Sequence, residues 1–156
     1  DIAFRADDKN KWTSCNVYST PSLRLMVNFY TVNLDEKGRA ELLVNVQRED
    51  EGTGAGSGGR EMFIFNIDSI PTQVFHVVDG SWQFSHGSNA NPGAPYERQE
   101  LQREIRIIKN EIIVKPISAI ERKKYPDLVS DITPIAGGVY VLRNGKIVKK
   151  EVKKRK

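Results

Sequence analysis

A chain of 156 residues, 38% of them apolar, is long enough for one modest hydrophobic core and too short for several large domains. Its lone cysteine, Cys15, excludes an internal disulfide and a cysteine-built zinc cage, and no Asn-x-Ser/Thr acceptor occurs. Its apolar stretches, such as residues 112–114 and 139–142, fall far short of the roughly 18 residues a membrane-spanning helix needs. The net charge of +4 is uneven: from Arg143 onward eight basic residues face Glu151 alone, a net +7, which leaves the preceding 142 residues at −3.

The chain opens on Asp1 with no charged n-region, apolar stretch or cleavage site behind it, and so reads as a mature product or an excised fragment. Residues 11–19 offer Trp12, Cys15, Val17 and Tyr18 as a weak strand that Thr20-Pro21 ends. Residues 23–32 alternate, with Leu23, Leu25, Val27 and Phe29 on one side and Arg24, Asn28 and Tyr30 on the other, the period of a half-buried strand. Met26 and Val32 blur its polar side. Residues 40–46 repeat the pattern through Leu42, Val44 and Val46, and Asp35-Glu36-Lys37-Gly38 between them predicts a hairpin loop.

Next comes the most improbable stretch of the chain, only Gly, Ala and Ser from Gly54 to Gly59, with Gly52-Thr53 just before it. Such residues carry no side chain to offset the entropy of ordering, which predicts a flexible spacer over residues 51–59, natural or engineered. It divides a strand-rich segment, residues 1–50, from a second, residues 60–156. Neither segment looks able to bury a core alone, so the two are expected to fold together.

Residues 61–68 are aromatic and β-branched and stop at Ile70-Pro71. Residues 73–78 and 81–85 flank Asp79-Gly80, a two-residue hairpin signal, and residues 86–95 read as a long exposed loop. Residues 96–115 read two ways. Leu101, Ile105, Ile108 and Ile112 keep helical spacing, while the isoleucine-rich stretch around Lys109-Asn110 suits a hairpin; a helical start near Tyr96 passing into strand by Ile112 is preferred. Ser118 predicts the cap of a short helix over residues 119–124, halted before Pro126. Finally Asn144-Gly145 predicts a tight hairpin pairing Leu142 with Ile147 on one face and Val141 with Val148 on the other. Short strands punctuated by turns give a mainly β fold, an antiparallel sandwich or barrel built from hairpins, with one or two short helices.

Catalytic patterns are scarce. Gly54, Gly56 and Gly59 satisfy a dinucleotide-binding spacing, but the residues after them read as strand where that motif needs a helix N-terminus. Cys15, His76 and His86 are the thiol and imidazole candidates; Cys15 sits mid-strand, His76 alternates with Val74 and Val78 along a strand face, and His86 opens a loop. Two histidines with no clustered acids do not make a metal site, and Asp7-Asp8 and Glu49-Asp50-Glu51 lie in polar runs where carboxylates do little acid or base work. No cofactor is called for. The charged feature with functional force is the basic tail, residues 146–156, in which Lys149, Lys150, Lys153, Lys154, Arg155 and Lys156 are candidates for contact with nucleic acid or an acidic partner.

Gly138-Val139-Tyr140-Val141 followed by Asn144-Gly145-Lys146 and Ile147-Val148-Lys149-Lys150 resembles the close of the C-terminal sorting domains recognised by bacterial type IX secretion. The likeness covers residues 138–150 alone. The upstream part of that family's pattern is missing, and no site residue is carried over from it.

The sequence therefore points to a non-enzymatic protein–protein interaction or assembly module docking in a larger complex. Its alternatives are a nucleic-acid-associated protein working through the tail and a secreted or virion structural subunit. Compartment is left open.

Overall fold

A computed structural model describes residues 5–6, 12–13, 23–34, 40–52, 54–67, 71–85 and 96–151. Two two-residue strands, β1 (Arg5–Ala6) and β2 (Trp12–Thr13), pair antiparallel. They are followed by β3 (Leu23–Val32), β4 (Glu41–Glu51), β5 (Ala55–Asn66), β6 (Thr72–Ser85) and β7 (Glu97–Gln102), which form a five-stranded antiparallel meander in chain order. β8 (Ile105–Ile108), β9 (Glu111–Val114), β10 (Gly138–Arg143) and β11 (Lys146–Lys149) make a second antiparallel sheet, and α1 (Ala119–Lys124) and α2 (Pro126–Asp131) lie between β9 and β10. The fold is mainly β, as expected, with two sandwich-like hairpin sheets and no closed barrel among the described residues.

The strand period explains the layering. Leu43, Met62, Ile64, Phe75 and Val77 share one face of the meander and pack against Ile112, Val114, Tyr140 and Leu142 of the small sheet. Ile64, Val77 and Ile112 are fully buried, each contributing about 2 kcal/mol. The opposite face is also apolar: Leu42, Val44 and Val46 cluster with Leu25, Val27, Phe63, Phe65 and Ile67. β4 therefore reads as continuous Leu-Leu-Val, without clean alternation, because both its faces are covered.

The predicted spacer is the largest correction. Gly52 donates its N–H to the Ala55 carbonyl at 2.8 Å, Gly54 turns the chain at φ +86°, and residues 55–59 run as the first half of β5. There β5 is hydrogen-bonded between β4 and β6, with Gly58 opposite both Glu49 and Trp82, and Gly56 opposite both Glu51 and Phe84. Tertiary pairing supplies the order that composition withholds. A Cβ on Gly58 would lie 2.5 Å from Trp82 Cζ2 and from the Arg48 carbonyl oxygen; one on Gly56 would lie 2.8 Å from Phe84 Cε2. The indole crosses β5 over Gly58, and its Nε1–H donates to Glu49 Oε2 on β4 at 3.1 Å. Both rings are buried, Trp82 beneath the Arg98 guanidinium and Phe84 against Tyr96.

Asp79-Gly80, predicted as a hairpin turn, is instead a β-bulge inside the continuous strand β6. Glu61 pairs with Val78 and Arg60 with Gly80, so Asp79 is the extra residue. Its buried carboxylate accepts from Arg60 Nε and Nη2 at 2.9 and 2.6 Å, which keeps the chain extended through a dipeptide that elsewhere turns. Residues 96–115 hold no helix; the preferred helical start is corrected to β7, β8 and β9, with Lys109 at φ +56° in the turn between the last two. The helical spacing is coincidental: Leu101 packs with Ile117, Leu128 and Ile132, Ile105 and Ile112 join the core between the sheets, and Ile108 is exposed.

Other expectations hold residue for residue. β3 occupies residues 23–32 and α1 residues 119–124, where the Ser118 hydroxyl accepts from the Glu121 N–H and the Glu121 carboxylate from the Ser118 N–H. Pro126 ends α1 and also begins α2 as its first residue, a helix not anticipated. β10 and β11 pair Leu142 with Ile147 and Val141 with Val148 around Asn144-Gly145. The strand expected over residues 11–19 is described only at Trp12–Thr13; the loops at 35–39 and 86–95 lie outside the described residues.

Candidate functional site

Because neighbouring strands of the meander connect in sequence, its margins are β3 and β7. β3 keeps ten consecutive register pairs with β4, from Leu23 opposite Asp50 to Val32 opposite Glu41, with no bulge and no proline. Arg24 is its one charged residue and pairs with Glu51 at 3.3 Å. Among the described residues β3 is bonded to β4 alone. Met26 and Tyr30 project from one face of β3, 56% and 51% exposed, flanking Asn28, and Phe29 on the other face is 40% exposed. A long, straight, apolar margin is what natural sheets ordinarily blunt with lysine, proline or a bulge.

Small side chains on the other face of β5 open a polar trough. Ala55 and Ser57 lie beneath a concavity of about 590 Å³ flanked by Asp50, Gln83, Gln99 and Glu97, in which Gln83 donates to Gln99 at 3.3 Å. Further along this face Phe63 stacks on the His76 imidazole at 4.3 Å, and His76 Nε2 lies 2.9 Å from Glu61 Oε2. Arg48 Nε approaches Glu61 at 3.5 Å. His76 is thus a half-exposed, partnered sheet histidine. Cys15 and His86 lie outside the described residues. No group of three or more metal-ligating side chains occurs among the described residues.

Gly54, Gly56 and Gly59 are followed by strand, so the dinucleotide spacing lacks the helix its chemistry requires. Of the tail candidates, Lys149 ends β11 with its side chain beside Gly138, and Lys150 donates to Glu111 Oε1 at 2.5 Å. Lys153, Lys154, Arg155 and Lys156 lie outside the described residues. No helix among the described residues is long and apolar enough to cross a membrane.

No family model matches the chain, and no curated protein or solved structure is significantly similar to it. The sequence flagged Met26 as out of place on a polar strand face; only the sheet order turns it into part of a margin that no other described strand covers.

Proposed function

We propose that the protein is a non-enzymatic interaction and assembly module that receives an extended segment of a partner polypeptide along β3. The observation that carries this reading is the uninterrupted margin itself, ten residues long, with Met26 and Tyr30 exposed beside it. A partner strand laid there gains main-chain hydrogen bonds for affinity, and the outward side chains set which segment fits. An apolar strand margin that no other described strand covers would invite aggregation if left bare, which supports its use by a partner.

Placing a photo-crosslinking residue at Met26, and separately at Gln99 on β7, tests this in extracts of the source cells. One discrete adduct is expected from position 26, none of the same mass from position 99, and loss of the adduct when Tyr30→Lys is added. Equal adduct patterns from both positions, or an adduct indifferent to Tyr30→Lys, sink the reading.

A further inference from the structure

Where β7 hands over to β8, Arg103 turns inward and is only 3% exposed. Its backbone N–H donates to the Asp79 carbonyl at 2.7 Å and its Nη1 to the Thr133 carbonyl at 2.9 Å, while its Nε is buried with no partner. A buried guanidinium donor left unmatched is costly, and such groups call for an explanation. The Asp79 carboxylate bonds to Arg60 through both of its oxygens, and the Arg103 Nε–H has no hydrogen-bond partner among the described residues.

Arg103 lies at the base of a cavity of about 350 Å³ whose mouth carries the exposed Arg122 of α1. Arg122 is held by its Nε–H to the Ile117 carbonyl, 3.4 Å away. Burial first and the charge of Arg122 second push the Arg103 guanidinium below its ordinary value, with Tyr140 and Asp79 acting the other way. Two cations thus share one cavity that no carboxylate lines among the described residues. Its remaining walls are aliphatic, chiefly Ile117, Val129, Ile132 and Ile135, with Ser130 and Pro134 near the opening.

We propose that this cavity binds an organic carboxylate carried on a compact aliphatic body, the carboxylate set between Arg103 and Arg122 and the body against the isoleucines. A carboxylate matches the fork of guanidinium donors that Arg103 and Arg122 bring to one cavity. The aliphatic walls select against a fully hydrated inorganic anion, which would leave them bare. This site is independent of the β3 margin and stands or falls separately.

Calorimetric titration of the full chain with 4-methylpentanoate at low ionic strength, followed by methyl NMR at Ile117 and Ile132, provides the test. Saturable binding is expected, weakened about tenfold or more for 4-methylpentanamide and for Arg122→Gln, the size of one lost charge-assisted contact. Arg122 is exposed, so Arg122→Gln should leave the unliganded melting temperature nearly unchanged and its loss of binding cannot be put down to unfolding. A leucine-ended tripeptide run beside the free acid shows whether the carboxylate arrives on a small molecule or a polypeptide end; tighter binding by either fits. Equal binding of acid and amide, inorganic phosphate outcompeting the acid, an unaffected Arg122→Gln, or no binding at millimolar acid each overturns the assignment.

Discussion

Gly58 and Gly145 are both conspicuous in the sequence, and they are glycines for opposite reasons. At Gly145 the backbone turns at φ +73° and a Cβ would meet nothing within 4 Å, so the residue answers a local, conformational demand. Gly58 lies in a strand, and what forbids a side chain is the indole of Trp82, 24 residues away in sequence, lying over it. A turn glycine is chosen by its own dihedral angles. A strand glycine of this kind is chosen by a ring that arrives only when the sheet forms, which leaves its neighbourhood in sequence looking like a linker.

That contrast is open to attack. The largest effect is expected at the packed end of the same strand, where Ile64→Ala should remove about 4 kcal/mol, read as a lower urea midpoint, because Ile64 is fully buried between the sheets. Gly58→Ala should cost about 3 kcal/mol despite adding a single methyl, since the indole and the Arg48 carbonyl must both move, and near-ultraviolet circular dichroism should report the displaced Trp82. A neutral Gly58→Ala would return residues 55–59 to the status of a spacer. Gly145→Ala should cost about 1 kcal/mol, the strain of a left-handed residue bearing a Cβ, with D-alanine at that position restoring stability.

The smallest effect belongs to a cap. Hydrogen bonds from Ser118, side chain first and backbone second, hold the Glu121 carboxyl below its ordinary 4.5. With the folded value depressed, its contribution is present above that ordinary value and lost as the pH falls through the folded one. Amide protection factors in α1, corrected for the intrinsic pH dependence of exchange, should therefore fall selectively in acid, by an amount corresponding to a few tenths of a kcal/mol at this site, and Glu121→Gln should remove that pH dependence.

Legibility followed the range of the interactions. β3, α1 and the hairpin of β10 and β11 were readable because period, cap and turn chemistry act within a few residues. Asp79-Gly80 misled because Arg60, 19 residues earlier, claims the carboxylate and holds the dipeptide extended. The stretch from Tyr96 misled because Leu101 joins Ile117, Leu128 and Ile132, away from the isoleucines whose spacing it happened to continue. Of the candidate sites, Met26 was visible as an anomaly on a polar face, whereas nothing near Arg103 or Arg122 hints that their guanidiniums line one cavity.

By itself the sequence determined a mainly antiparallel β fold, several of its element boundaries and a lack of catalytic patterning, all properties carried by residues close together along the chain. The tertiary structure alone decided that a run of Gly, Ala and Ser begins the middle strand of a sheet, that β3 is a margin among the described strands and that Arg103 and Arg122 line one cavity. Each of those depends on which strand lies beside which. A flat stretch of small residues specifies that only through the rings and carbonyls that come to lie upon it.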